Sequence, residues 1–101
     1  MDTLKNILKN VLYGYIRKGI NGSTELTRNV DETLFTLIAS GKSGEKRFTF
    51  TALIVIIIAD KIVIEEDRND KPLVDALVQA GIPREQIILA YIGEKVPDLS
   101  A

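Results

Sequence analysis

The chain contains no cysteine and no histidine among its 101 residues. Without cysteine there is no disulfide, no thiolate nucleophile and no sulfur ligand for a metal. Without histidine, imidazole acid–base catalysis and Cys/His zinc sites are excluded as well. Tryptophan is also missing, and aromatic residues make up only 6%. Neither sign of charge dominates: 13 Lys and Arg stand against 14 Asp and Glu, a net charge of -1. No global field therefore draws the chain toward nucleic acid or an anionic membrane, which leaves room only for a local patch. The longest apolar run, Ala52 to Ala59, has eight residues. A membrane helix needs roughly 18 or more. No basic stretch followed by an apolar segment opens the chain, so no secretory signal is expected and the cytoplasm is the expected location.

What is present suits one folded domain held together by its core. The hydrophobic fraction is 46% and the charged fraction 27%, both ordinary for a globular chain of this length. Leu4, Ile7, Leu8, Val11, Leu12, Tyr15 and Ile16 recur at helical spacing and predict a first helix over residues 4–18. Asp2 or Thr3 would cap it, Arg17 and Lys18 would occupy its last turn, and Gly19 would end it with Ile20 folded back on Tyr15. A loop is expected at Asn21-Gly22-Ser23, a sequon that reads simply as a turn. Strands are expected over 25–30, 33–39, 46–59 and 62–66, with a hairpin loop at 40–44 and a turn at Asp60-Lys61. A second helix is expected over 71–80, capped by Asp70 and ended by Gly81, with Ile82 against Leu77. Residues 83–86 read as a turn, residues 87–92 as a last strand, and residues 93–101 as a loose tail. Consecutive strands joined by short loops pair antiparallel. The fold class is therefore α+β.

The strands are apolar on both faces, whereas a sheet with one wet face alternates apolar and polar. On the long strand, Phe48, Phe50, Ala52, Ile54, Ile56 and Ile58 oppose Leu53, Val55 and Ile57. Two short helices are too little to cover both faces well. The surplus points to a covered subunit contact, with Leu53, Val55 and Ile57 as its expected residues and a homodimer as the simplest form.

Chemistry-bearing motifs are few. Gly41-Lys42-Ser43 looks like the end of a phosphate-binding loop, but Thr36 stands where the motif needs glycine and a strand follows instead of a helix. Asp60, Glu65, Glu66, Asp67 and Asp70 form an acidic run. Glu65 and Glu66 are strand neighbours pointing opposite ways, Asp70 has a capping role, and Arg68 and Lys71 offset the charge. No metal and no cofactor are expected, nor any catalytic residue. Lys5, Lys9 and Arg17 on the first helix, with Lys42, Lys46 and Arg47 at the hairpin, are the candidate contacts to nucleic acid phosphates. The solvated side of a helix and a polar hairpin tip is the simpler account of them.

Leu73 to Ile92, LVDALVQAGIPREQIILAYI, resembles a segment of the XisI family, most specifically through Ala80-Gly81-Ile82-Pro83 and Gln86 to Tyr91. Lys61-Ile62-Val63-Ile64 after a long apolar strand, and the opening MDTLKNILKNVLYGY, are similar to the family too. The resemblance covers roughly residues 1 to 92. It departs at Ala39-Ser40-Gly41, where the family carries Gly-Trp, at Ile92, where the family often has histidine, and in the tail, which lacks the family's aromatics. The resemblance implies a non-enzymatic protein of cyanobacteria that controls excision of a DNA element by site-specific recombination during heterocyst differentiation. It also implies that the protein acts on itself or on a co-encoded XisH-like partner, beside a separate recombinase. A direct DNA-binding accessory role is the alternative.

Overall fold

The computed structural model describes residues 3–97. Two helices lie on a five-stranded sheet of order β1-β2-β3-β4-β5, so the fold is α+β. The elements are α1 (Thr3–Tyr13), β1 (Gly22–Arg28), β2 (Leu34–Ser43), β3 (Lys46–Ile58), β4 (Lys61–Asp67), α2 (Leu73–Gln79) and β5 (Ile87–Leu89). The first four strands are antiparallel in sequence. β5 departs from the antiparallel expectation and runs parallel to β4. The reason is α2, which carries the chain back toward the end where β4 began.

α1 buries Leu8 and Leu12 and half-buries Leu4, Ile7 and Val11, the stripe its spacing predicts. It stops five residues early. Gly14 is a poor helix residue, and from there the chain tightens into three-residue turns: Gly14 N–H to Val11 O at 3.0 Å, Tyr15 N–H to Leu12 O at 2.9 Å. Arg17 and Lys18 therefore lie beyond the helix. The Arg17 N–H donates to Thr24 Oγ1 at 2.8 Å, and Lys18 bridges to Ser23 beside β1. Gly19 is no helix end, and Ile20 is fully exposed instead of folded on Tyr15. Of the two expected caps, Asp2 lies outside the described residues, as do residues 98–101 of the expected tail.

The hairpins are tighter than the loops predicted for them. β2 continues through Ser43, paired with Lys46, and only Gly44 and Glu45 turn the chain. Ala59 and Asp60 turn β3 into β4 with φ of 52° and 63°, two left-handed residues that suit the twist of a hairpin. α2 has Pro72 at its N-cap and no side-chain cap from Asp70. Asp67, at the end of β4, takes that role: its Oδ2 accepts from the Leu73 N–H at 2.6 Å. Its Oδ1 holds the connecting loop through Asn69 N–H at 3.0 Å. Gly81 ends α2 with φ of +106°, and Ile82 returns to the core with its N–H on Leu77 O at 3.0 Å. The expected last strand is cut to Ile87–Leu89, and Ala90–Ile92 form a 3-10 turn.

One core lies between the helices and one sheet face. Leu8, Leu12, Leu73 and Leu77 meet Phe35, Leu37, Leu53, Val55, Ile62, Ile64, Ile87 and Leu89. Leu53 is 1% exposed and Val55 is 0% exposed, so the chain's own helices cover them. Ile57 packs against the same core. The expectation that these three present an outer contact is overturned by this placement.

Candidate functional site

The helices are shorter than the sheet. β3 has 13 residues, or about 43 Å at roughly 3.3 Å per residue, nearly the full 48 Å length of the molecule. α1 with 11 residues and α2 with seven reach about 17 and 10 Å. The far half of the β2–β3 hairpin therefore projects past them as an arm. Lys42 to Phe50 are all exposed.

On the side of the sheet that bears the helices, the arm carries two aromatic residues left in water. Phe48 and Phe50 are 41% and 39% exposed, and their rings stack at 6.1 Å. Phe48 lies over Gly41, its register partner; a Cβ there would come within 2.7 Å of the Phe48 ring and would meet the Asn21 carbonyl. The Arg68 guanidinium sits 5.8 Å from the Phe50 ring centre and is held by Glu66 at 2.7 Å. Where the arm leaves the helices there is a concavity of about 530 Å³ between Tyr15, Thr24, Ala39, the two Phe rings and the Asn69–Lys71 loop. The Tyr15 hydroxyl donates to Lys71 O at 2.8 Å across the groove floor. Burial, then Asp67 and Asp75 nearby, push this phenol up to about 12, which keeps it a neutral donor.

The six cations expected to share a nucleic acid surface do not come together. Lys5 donates to Asp31 O at 3.1 Å and Lys9 pairs with Glu32 at 3.0 Å. Both sit at the β1–β2 turn, the end opposite the arm tip. The Glu32 carboxyl is held below its ordinary range by the Lys9 hydrogen bond and the surrounding cations. Arg17 flanks the groove. Lys42 and Arg47 face each other across the arm and Lys46 pairs in register with Ser43. These three make no ion pair among the described residues. The acidic run is dispersed as well: Glu66 is on Arg68, Asp67 on α2 and Asp60 in the turn. No three acidic side chains are grouped to hold a metal among the described residues.

The sheet face away from the helices is the second exposed surface. Leu34, Ile38, Ile54, Ile56 and Ile88 line it half-exposed around the buried Val63. The expected surplus of apolar surface is therefore real but lies on the opposite face of β3. The signal for the correct phase is in the turn: a two-residue turn at 59–60 aligns Val55 with Ile64 and Ile57 with Ile62, the more apolar side of β4. The arm has no signature of its own in the sequence, because its exposure depends on where α1 ends. Apolar area, open aromatic rings and unpaired charges are the materials of a contact with another macromolecule.

The family model described as XisI protein matches residues 1–100. Among solved structures, the chain is similar to a XisI-like protein from Anabaena variabilis ATCC 29413, with a TM-score of 0.63 and 22% identity over 87% of this chain and 80% of that one. It is also similar to the fdxN element excision controlling factor XisI of the same organism, with a TM-score of 0.56 and 28% identity over 88% of this chain and 86% of that one. No curated protein matches.

Proposed function

The chain belongs to the XisI family, and from that membership we propose that it is a non-enzymatic regulator that controls excision of a DNA element by site-specific recombination. It works through contacts with itself or with a XisH-like partner protein. The match to the family over residues 1–100 carries this reading, together with the likeness to an fdxN element excision controlling factor. The two exposed surfaces support it, since one chain then has a place for each contact. The open face of Leu34, Ile38, Ile54, Ile56 and Ile88 is assigned to the XisH-like partner. Ile54→Asp places a charge in the middle of that face without entering the core. In a host that lacks the gene, the wild-type chain restores excision of the element, and Ile54→Asp does not. Full excision in the host without any copy of the gene would refute the regulatory reading.

A second reading has one observation of its own: Lys42, Lys46 and Arg47 project on the arm without an ion pair among the described residues. A direct DNA contact by this arm requires duplex binding whose logarithm falls linearly with log salt. Filter binding at several salt concentrations tests it, and a flat salt response counts against it.

A further inference from the structure

We infer that the ring side of the β2–β3 arm, with the groove at its base, takes single-stranded DNA. The open face of the sheet keeps the protein contact. Only the choice of DNA over RNA rests on the function proposed above; the choice of a single strand rests on the rings. Phe48 and Phe50 stand two residues apart on β3 and so on one side of the strand. Phe48 lies over Gly41, where no Cβ lifts it off β2, and the rest of its ring is open to water. The two ring centres are 6.1 Å apart. Neighbouring nucleotides of a duplex strand are only about 3.4 Å apart along the axis. Each ring therefore receives a base of its own only from a strand drawn out of the duplex stack. Aromatic rings on an open strand hold such a strand with little regard to sequence, because every base has a face to stack.

The charge beside the rings has the sign that a phosphate backbone needs. Lys46 alternates to the ring side two residues from Phe48, about 7 Å toward the tip. At the base, Arg17 and Lys71 line the groove with the two rings, and the Arg68 guanidinium stands over Phe50. Lys42 and Arg47 face each other on the reverse of the two-stranded tip and add to the same field. Three acids stand among these six cations: Glu45 in the turn, Asp70 in the groove and Glu66, which Arg68 holds. Asp67 nearby is turned to the Leu73 and Asn69 N–H groups. Acids outnumber bases 14 to 13 in the whole chain, so the cations are concentrated here. Of the six, only Arg68 is in an ion pair among the described residues. They are spread from the tip to the groove instead of meeting at one point. That spacing suits a polyanion better than a lone carboxylate.

The test is fluorescence anisotropy of a labelled oligo-dT of about 12 nucleotides, titrated with the full chain. A duplex, an RNA oligonucleotide and a poly-glutamate peptide of matched length are titrated beside it. The wild type binds the single strand, and the logarithm of its affinity falls linearly with log salt. Phe48→Leu keeps apolar bulk but loses the ring; it weakens binding by about tenfold and leaves the salt slope unchanged. Phe48→Tyr keeps the wild-type affinity. Arg17→Ala and Lys46→Ala each make the slope shallower by about 0.7. All three positions are exposed, and thermal melts confirm that the variants fold. No binding of oligo-dT by about 100 µM protein overturns the inference, as does a Phe48→Leu variant that binds like the wild type. A duplex or poly-glutamate bound as tightly as oligo-dT, or RNA bound more tightly, also overturns it and gives the arm to that ligand. Excision in the host reads the regulatory function separately. A chain that restores excision without holding oligo-dT keeps that function and loses only this inference.

Discussion

At the residue scale, single atoms decide between readings that composition leaves equal. Asp67 and Asp70 are neighbouring acids in one run, yet only Asp67 reaches the Leu73 N–H, at 2.6 Å. Asp67→Ala is expected to lower stability by about 1 kcal/mol, the usual worth of a helix N-cap, and Asp70→Ala by less than about 0.5 kcal/mol. Leu53→Ala opens a cavity in the core and is expected to cost about 2–5 kcal/mol. Urea denaturation of the three variants ranks them, and equal midpoints for the two Asp variants would refute the cap. Tyr15 adds a pH dependence. Burial lifts its phenol from 10.0 to about 12 in the fold, so the unfolded chain loses that proton first. The stabilisation is whole below pH 10 and is lost as pH rises toward 12. Spectrophotometric titration of tyrosinate should show a late component that Tyr15→Phe reduces. Tyr91 is also raised, chiefly by burial.

At the element scale, glycines mark where the chain turns or passes close to itself. Gly81 ends α2 at φ of +106°, a conformation costly for any residue with a Cβ. Gly41 has no such dihedral constraint but lies under the Phe48 ring and against the Asn21 carbonyl. Gly81→Ala and Gly41→Ala should each destabilise by about 1 kcal/mol or more, for different reasons. A smaller residue over Gly41 relieves one clash, so Phe48→Ala should partly rescue Gly41→Ala and leave Gly81→Ala unchanged. Thermal melts of the three single and two double variants check this. The Gly81 stop was legible because it follows a short apolar stripe with Ile82 behind it. The end of α1 was not, because the stripe of Leu4 to Leu12 continues in register into Tyr15 and Ile16 although the backbone has left the helix at Gly14.

At the scale of the whole molecule, the arm and the core are separate. None of Lys42 to Phe50 is buried, so the arm can be shortened without opening the core. Removing Lys42-Ser43 together with Lys46-Arg47 deletes two cross-strand pairs and leaves Gly41 opposite Phe48 across the same turn. This variant should keep the unfolding midpoint close to that of the wild type. Calorimetry reads it, and a large loss of stability would show that the arm supports the fold.

The order and type of the main elements follow from local pattern: an apolar stripe at helical spacing in residues 4–12, β-branched runs in 46–58 and 61–67, and the Pro72 and Gly81 boundaries of α2. Each is a short-range preference of the backbone, written in neighbouring residues. The absence of histidine and cysteine likewise closed off imidazole and thiolate chemistry without any structure. The direction of β5, the cap on α2 and the face that the helices cover are long-range outcomes. Both faces of β3 are apolar, so hydrophobicity alone does not choose between them. The choice falls to the Ala59-Asp60 turn, which aligns Val55 with Ile64, and to α1 and α2, which bury that side. Because those helices stop short, Phe48 and Phe50 remain in water although they lie on the same side as the core. Which apolar residues are structure and which are surface depends on helix length against strand length, a comparison that only the folded chain makes.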